Sequence, residues 1–270
     1  MKIVVVITTY NRTDALLASL EGFLEQKDKN FEIVVADDGS GAETAKAINS
    51  FRERADFEVH HVWQDDQGFR AGAIRNRALA QSKADYVIFT DGDCIPMPDF
   101  VSEHRRLAEQ GWFVTGNRIL LGETLSREIL EKRISANQWP VRRWLVAFLR
   151  GEVNRWFPLC SLPVPEWVRK LPARRWQGAM TCNLAAWREN LLNVNGFDES
   201  YSGWGLEDSD LTIRLIRSGI YRKSARFAAP VLHLWHMEYD RGLLEKNRRR
   251  LAELVASHRI LANKGASQYL

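Results

Sequence analysis

Short apolar runs alternate with amphipathic stretches along the first third of the chain. Residues 3–7 are a continuous run of Ile and Val that ends in polar residues, which is typical of a strand covered on both faces in a parallel sheet. The apolar positions that follow fall on one helical face and are Leu16, Leu17, Leu20, Phe23 and Leu24. The alternation continues with strands predicted at 31–36, 57–63 and 86–90 and helices predicted at 42–54 and 71–80. It predicts an α/β fold with a doubly wound, mostly parallel sheet.

Beyond residue 120 this regular alternation is lost. A short helix is predicted at 187–192 and a longer one at 207–217, and the segment 241–262 is also predicted to be helical. We expect a single domain over 1–270. Its four parts are predicted at 1–120, 121–177, 178–240 and 241–270.

Polar clusters follow three of the predicted strands. They occupy residues 8–11, 37–40 and 91–93. Ligands of open α/β sheets bind in the crevice at the carboxyl ends of the strands. The three clusters are therefore expected to converge on one site.

The charge of the chain is concentrated in one segment. Residues 133–176 hold nine Lys or Arg and two Glu, whereas the whole chain of 270 residues carries a formal charge of only +4. Five of the ten Trp lie in the same segment, namely Trp139, Trp144, Trp156, Trp167 and Trp176. Basic and aromatic residues together suit an anionic membrane surface, but these Trp side chains could equally form a core or stack on sugars. Single-stranded nucleic acid is a further partner with this composition, and we expect none, because no nucleic-acid-binding signature accompanies the segment.

The composition also bears on the compartment. No apolar run is longer than six residues, too short for a membrane-spanning helix or for the apolar region of a signal peptide. The three cysteines, Cys94, Cys160 and Cys182, are odd in number and far apart, which fits neither a disulfide framework nor a CxxC metal pair. We expect a cytoplasmic protein, with peripheral attachment to the inner face of the membrane through the basic segment.

Asp91-Gly92-Asp93 places two carboxylates on a loop that directly follows a buried strand. Mg²⁺ in proteins typically takes one or two carboxylates and completes its coordination with phosphate oxygens and water. The triplet alone is weak evidence, because short acidic triplets are common in surface loops. Its position at a strand end favours a cation that accompanies a diphosphate.

Five motifs in a fixed order resemble the inverting family 2 glycosyltransferases of the GT-A fold. They are Thr8-Thr9-Tyr10-Asn11, Asp37-Asp38-Gly39-Ser40, Asp91-Gly92-Asp93, Asn195-Gly196-Phe197-Asp198-Glu199 and Gly203-Trp204-Gly205-Leu206-Glu207-Asp208. The last motif is similar to the carboxy-terminal region of β-1,4-galactosyltransferases and bacterial chondroitin-type polymerases. The resemblance implies a nucleotide-sugar-binding half at 1–120, the basic insert at 121–177 and an acceptor half at 178–240.

The resemblance also implies a donor site. Thr8, Tyr10 and Asp38 would hold the nucleoside, although Asp-Asp-Gly-Ser is also a good turn sequence. The residues expected near the phosphates are Asp91, Arg70, Arg75 and Asn76, the last three of which could equally lie on a solvated helix face. Asp93 would bind a metal together with His236 and His233, and nitrogen ligands favour Mn²⁺ over Mg²⁺. If residues 231–236 form one strand, the two His point to opposite faces and one is structural.

On the acceptor side, Asp208 would be the general base and Glu207 would orient the acceptor. Helix capping is the alternative, because carboxylates are favoured in the first turn of a helix. Gly178, Asn183 and Trp204 are further candidates for contacts with sugar. A single displacement at the anomeric carbon would convert an α-linked donor into a β-linked product.

The function expected from the resemblance is the transfer of a sugar from a nucleotide sugar, with UDP-sugar favoured, to a glycan or glycolipid acceptor. Synthesis of a bacterial surface polysaccharide or lipopolysaccharide is the expected context. A nucleotidyltransferase acting on sugar phosphates and a non-enzymatic sugar- or lipid-binding module are the alternatives. The donor sugar, the linkage and the oligomeric state stay open.

Overall fold

The computed structural model describes residues 1–237 and 240–270. The strands within these ranges are β1 (Ile3–Thr9), β2 (Phe31–Asp37), β3 (Val59–Trp63), β4 (Tyr86–Asp91), β5 (Cys94–Pro96), β6 (Trp112–Thr115), β7 (Arg118–Leu120), β8 (Asn183–Trp187), β9 (Tyr221–Ser224) and β10 (Val231–His233). The helices are α1 (Thr13–Leu24), α2 (Ala42–Arg52), α3 (Ala71–Gln81), α4 (Phe100–Leu107), α5 (Glu123–Lys132), α6 (Val141–Leu149), α7 (Glu166–Arg169), α8 (Arg188–Asn193), α9 (Glu207–Arg217) and α10 (Leu244–Ala256).

The larger sheet has the strand order β3-β2-β1-β4-β8-β6-β9. Strands β1 to β4 are mutually parallel, and β8 runs antiparallel between β4 and β6. The predicted doubly wound, mostly parallel sheet is therefore confirmed. β1 is apolar at successive positions because alternate residues pack in hydrophobic clusters on opposite faces of the sheet, Val5 in one and Val6 in the other.

Most predicted boundaries are correct to within two residues. The helix predicted at 187–192 is α8, but Trp187 is the last residue of β8 and pairs with Tyr86. The segment predicted to be helical at 241–262 is helical only as α10, which packs Leu251 and Leu254 near Ile213 of α9. No helix within the described ranges is long and apolar enough to cross a membrane.

A smaller sheet, β5-β10-β7, joins distant parts of the chain. β10 is antiparallel to β5 and parallel to β7, so that His233 lies opposite Cys94 and Leu120. Beneath it, apolar residues of the insert form a separate core with Ile119 and Leu232. Because β5 begins directly after Asp93 and pairs with β10, this sheet places Asp93 near the late segment that contains the histidines.

The tryptophans of the insert serve mainly as core. Trp144 is fully buried and lies 5.0 Å from Trp139, measured between ring centroids. Trp139 and Trp156 are half-buried and pack against the same core, and Trp176 packs beside α10. Trp167, in contrast, is 69% exposed.

Candidate active site

The carboxyl ends of β1, β2 and β4 lie side by side. In register, Thr8 is opposite both Ala36 and Asp91, and Thr9 is opposite Asp37. The amide of Gly92 donates a hydrogen bond of 2.7 Å to the carbonyl of Thr8. A Cβ at Gly92 would lie 3.0 Å from Thr9 Oγ1 and 3.2 Å from Thr8 O, so glycine allows this close approach. The expected convergence of the three polar clusters is confirmed.

Asp38 lies in a buried polar pocket at this edge. Its carboxylate accepts hydrogen bonds from the Arg70 amide at 2.6 Å and from Gln64 Nε2 at 2.5 Å. Burial raises the pKa of Asp38, and the two hydrogen bonds oppose that shift. Nearby, Tyr10 Oη donates to Asp66 Oδ2 at 2.9 Å. Tyr10 and Asp38 thus both contact the segment that follows β3.

Arg75 joins the two halves of the site. Its guanidinium donates to Thr8 Oγ1 at 2.9 Å, to Asp91 Oδ1 at 3.0 Å and to Glu207 Oε1 at 3.1 Å. The residue is only 4% exposed. The three bonds use all three guanidinium nitrogens, so Arg75 holds carboxylates in place here, whereas the sequence suggested a phosphate contact.

Two predicted contacts are corrected by the structure. Asn76 is fully buried, and its amide pairs with the backbone of Phe197 and with Glu199. Asn183 is also buried and pairs with His104 and with the carbonyls of Asn117 and Ala229. Because both amides are already satisfied inside the protein, these residues hold loops together and are not assigned to the phosphates or the sugar.

The remaining basic candidate, Arg70, is half-buried at the start of α3. Its guanidinium donates to the carbonyl of Asp65 at 2.7 Å, and its backbone amide binds Asp38. Arg70 therefore stays a candidate for the donor site.

Asp93 and both predicted histidines come together. His233 Nε2 lies 3.6 Å from Asp93 Oδ1, and His236 Nε2 lies 3.5 Å from Asp93 Oδ2. β10 ends at His233, so the strand alternation that would separate the two rings does not extend to His236. Their ring centroids are 5.3 Å apart.

The chemistry of this cluster fits a divalent cation. Burial lowers the pKa of His233, which favours the neutral imidazole that a metal requires. Cys94 Sγ is also close, 3.6 Å from Asp93 Oδ1. Burial raises the pKa of the Cys94 thiol well above its ordinary value, and a protonated thiol is a poor ligand. The potential ligand atoms of Asp93, Cys94 and His233 all lie within 4.8 Å of one another, and His236 Nε2 lies beside the other oxygen of Asp93. The carboxylate and the imidazoles are therefore the candidate ligands, and nitrogen ligands suit Mn²⁺.

The acceptor motif forms a tight loop before α9. Gly203, Gly205 and Leu206 all have positive φ angles, of +69°, +100° and +78°, and glycine adopts this region without steric cost. Trp204 is 36% exposed, and the Arg241 guanidinium lies 5.0 Å from its ring centroid. Gly178, also exposed with a positive φ, accepts a hydrogen bond from Arg222. Both residues stay candidates for contact with a sugar.

The two carboxylates of this motif have different surroundings. Asp208 Oδ2 accepts a hydrogen bond from the Thr181 amide at 3.2 Å, outside its own helix, so a helix cap does not account for it. Glu207 Oε1 is bound by Arg75, whereas its Oε2 is buried with no hydrogen-bond partner among the described residues. Burial and the nearby Asp208 charge raise the pKa of Glu207 to about 7.

This raised pKa predicts a pH-dependent stability. Relative to its ordinary value of 4.5, the folded-state pKa of Glu207 is higher, so its contribution to stability is complete at low pH and is lost as pH rises through 7. Between pH 5 and 8 in chelator, the unfolding free energy of wild type should fall by about 2 kcal/mol relative to Glu207→Gln. Urea unfolding measures this difference. The exposed Glu43→Gln variant should follow wild type at each pH; parallel curves for wild type and Glu207→Gln would contradict the assignment.

Sequence reasoning missed three contributors to the site. Gln64 and Asp66 directly follow β3, so the strand-end rule that indicated the other clusters also applies to them. Thr181 contributes its backbone amide, which donates to Asp208. Every residue except proline has such an amide, so the side-chain sequence could not indicate this contact.

Comparison with known proteins gives two family matches. Residues 4–158 match the family described as Glycosyl transferase family 2, and residues 163–237 match that described as N-terminal domain of galactosyltransferase. A chondroitin synthase of Escherichia coli is 28% identical over 83% of this chain and 33% of its own length. A validoxylamine A glucosyltransferase of Streptomyces hygroscopicus subsp. limoneus is 28% identical over 80% of this chain and 48% of its own length. A hyaluronan synthase of Pasteurella multocida is 27% identical over 82% of this chain and 23% of its own length.

Solved structures share the fold. S. aureus TarS 1–349 in complex with UDP matches with a TM-score of 0.63 and 16% identity, covering 100% of this chain and 68% of that one. The mannosyltransferase PcManGT from Pyrobaculum calidifontis, in complex with GDP-Man and Mn²⁺, matches with a TM-score of 0.58 and 18% identity, covering 95% of this chain and 62% of that one. This chain spans less than half the length of the three curated relatives named above.

Proposed function

The chain belongs to glycosyl transferase family 2 and is a glycosyltransferase with the GT-A fold, and we propose that it transfers a sugar from a UDP-sugar to a glycan or glycolipid hydroxyl with inversion. The observation that carries this proposal is the position of Arg75, which contacts Thr8, Asp91 and Glu207 at once. One side chain thereby connects the strand-end cluster to the acceptor motif. Donor and acceptor groups bound at the two clusters would meet between them.

In this proposal the donor binds along the ends of β1, β2 and β4. Asp38 accepts a hydrogen bond from the edge of the base, Tyr10 lies against the ring and Thr8 contributes to the nucleoside pocket. Arg70 and Asp91 lie toward the diphosphate. The complexes of TarS with UDP and of PcManGT with GDP-Man and Mn²⁺ support a nucleotide donor, for which we propose UDP.

Asp93, His233 and His236 would hold the divalent cation, for which we propose Mn²⁺, with Mg²⁺ as the alternative. When bound, such a cation stabilises the negative charge that develops on the leaving diphosphate. Asp93 supplies the oxygen ligand and the imidazoles supply nitrogen. The two rings approach different oxygens of the same carboxylate, which holds its orientation.

Asp208 is the proposed general base. Its carboxylate takes the proton of the acceptor hydroxyl as that oxygen forms a bond to the anomeric carbon, and the bond from that carbon to the diphosphate breaks. Glu207, held by Arg75, orients the acceptor. Trp204 and Gly178 lie on the exposed side, where a sugar chain would approach. A single displacement by this route inverts the anomeric configuration.

The similarity to chondroitin and hyaluronan synthases supports an acceptor that is a growing polysaccharide or its lipid-linked precursor. Synthesis of a bacterial surface polysaccharide or lipopolysaccharide, on the cytoplasmic side of the membrane, is the corresponding proposal. The family match disfavours the two alternatives, a nucleotidyltransferase and a non-enzymatic binding module. Turnover measured with a series of UDP-sugars would identify the donor sugar.

A nucleotide screen tests the donor site first. UDP with Mn²⁺ should raise the unfolding temperature by several degrees, because a ligand at 100 times its dissociation constant adds about 2.7 kcal/mol to stability. GDP, CDP or TDP with Mn²⁺, and UDP with chelator, should give smaller shifts. Differential scanning fluorimetry measures each combination.

Asp93→Ala should lose the Mn²⁺-dependent part of the UDP shift. His236→Ala and His233→Ala should each reduce it, because each removes one nitrogen ligand. The matched control is Asp99→Ala, which removes a half-buried carboxylate paired with Lys27 outside the site. An unchanged UDP shift in Asp93→Ala would reject the proposed metal site, and a larger shift with another nucleotide would redirect the donor assignment.

A further inference from the structure

Helix α6 presents apolar side chains to solvent. Leu149 is 74% exposed, Val146 is 45% exposed and Phe148 is 40% exposed. The opposite side of the helix is fixed in the protein, because Trp144 and Ala147 are buried in the core of the insert with Ile119 and Leu232. Because Trp144 and Ala147 fix the inner side of the helix, its exposed apolar residues face solvent.

The same helix carries arginines that form no ion pair with a described carboxylate, although the charge of Glu128 lies near Arg143. Arg142, Arg143 and the following Arg150 are exposed, and no carboxylate of residues 1–237 or 240–270 forms an ion pair with them. The helix itself contains no Asp or Glu. Arg143 instead stacks on Trp139, with its guanidinium carbon 3.4 Å from the ring centroid.

Exposed arginines on α10 differ in this respect. Arg248 and Arg249 lie 3.5 Å and 4.0 Å from carboxylate oxygens of Glu245. Glu245 therefore offsets one of these two charges. The charge on α6 is not compensated in this way, and it lies in the segment 133–176, which is the most basic part of the chain.

We propose that the outward face of α6 binds an anionic lipid bilayer, with Leu149, Val146 and Phe148 at the boundary between headgroups and acyl chains. Residues seven apart lie on one face of a helix, so Arg142 and Leu149 share a face and are two turns apart. Long arginine stems lie along apolar surface while their guanidinium groups reach phosphates. This pairing of apolar and basic side chains is typical of helices that lie in a membrane interface.

A second copy of the chain is a less suitable partner. In a symmetric dimer the same patch meets itself, which would bring the positive charges of two such patches into one interface. An anionic bilayer supplies both the negative charge and the apolar phase. The proposal also moves the membrane contact away from the tryptophans, most of which pack in the interior.

Co-sedimentation of the full chain with vesicles tests this surface. Vesicles of phosphatidylcholine mixed with phosphatidylglycerol should bind the protein at low salt, and vesicles of phosphatidylcholine alone should bind it far less. Binding should fall in about 1 M NaCl, where the Debye length is about 3 Å. Arg142→Gln with Arg150→Gln should lower the partition coefficient about 25-fold, and Leu149→Ser should lower it about tenfold.

The matched controls are Arg248→Gln with Arg249→Gln and, for the apolar change, Val255→Ser on α10. Both should leave the partition coefficient within about twofold of wild type. Thermal unfolding of each variant establishes that it is folded. The proposal is overturned if anionic vesicles do not sediment the protein, or if the α6 and α10 variants weaken binding equally. It is also overturned if size-exclusion chromatography shows a dimer that Leu149→Ser dissociates. A failure of UDP to bind affects none of these outcomes.

Discussion

Asp208→Asn should abolish sugar transfer and leave UDP affinity nearly unchanged. The asparagine keeps the shape of the side chain, and its Oδ1 can still accept the hydrogen bond from the Thr181 amide, but a neutral amide cannot take a proton from an acceptor hydroxyl. General base catalysis contributes about 10²–10⁴-fold, so kcat should fall by about that factor. Steady-state turnover of a UDP-sugar, with calorimetric titration of UDP and Mn²⁺, measures the two quantities separately.

Ser209→Ala is the matched control, because it changes the adjacent first-turn residue of α9 without removing a carboxylate. Its kcat should lie within about threefold of wild type. If Asp208→Asn retains wild-type turnover, Asp208 is not the base. If it loses UDP affinity as well as turnover, its role lies in donor binding. Glu207→Gln should instead raise the acceptor KM, since the proposed role of Glu207 is orientation.

The sheet and its ligand edge could be predicted because both follow from local rules. A continuous apolar run such as residues 3–7 indicates a strand buried on both faces, and alternation with helices indicates parallel neighbours. Parallel neighbours bring their carboxyl ends to one edge, so Thr8 and Asp91 meet without any knowledge of side-chain contacts. The carboxylates of Glu207 and Asp208 were identified only from the resemblance. Their position in the first turn of a helix does not distinguish a catalytic role from capping.

The contacts of individual side chains could not be predicted in this way. Asn76 and Arg75 are adjacent on α3, yet one binds Phe197 and the other Glu207. These partners lie more than 120 residues away in sequence, and no local period encodes which face of α3 meets them. The sequence therefore offered both residues as phosphate contacts or as part of a solvated helix face, whereas the structure gives each a different internal partner.

The histidine pair shows how much depends on one boundary. An extended strand through His236 would place the two rings on opposite faces, but β10 ends at His233. Its partners in the smaller sheet, β5 and β7, lie more than 100 residues earlier in the chain. Sequence could name the two histidines as candidate ligands, but their convergence on Asp93 depended on this tertiary pairing.

Arg75→Met should be strongly destabilising. The substitution removes a buried positive charge that lies within 3.1 Å of carboxylate oxygens of Asp91 and Glu207. Breaking a buried ion pair by removing one partner costs about 3–5 kcal/mol, because the remaining charge is uncompensated. Urea unfolding in chelator measures the loss. Arg75→Met with Glu207→Gln should recover part of the stability, because the double change also removes one unpaired carboxylate, but it should not recover turnover.

Arg75→Lys separates stability from positioning. A lysine keeps the positive charge, but one ammonium group cannot reproduce the fork that reaches Thr8, Asp91 and Glu207 together. We expect most of the stability to return while kcat stays at least about tenfold below wild type, since acceptor and donor groups are no longer held in register. Arg105→Met is the control, because Arg105 pairs with Asp28 away from the site; it should lower stability and leave kcat of the folded protein unchanged. Wild-type turnover in folded Arg75→Lys would show that Arg75 contributes its charge alone and does not position the two halves of the site.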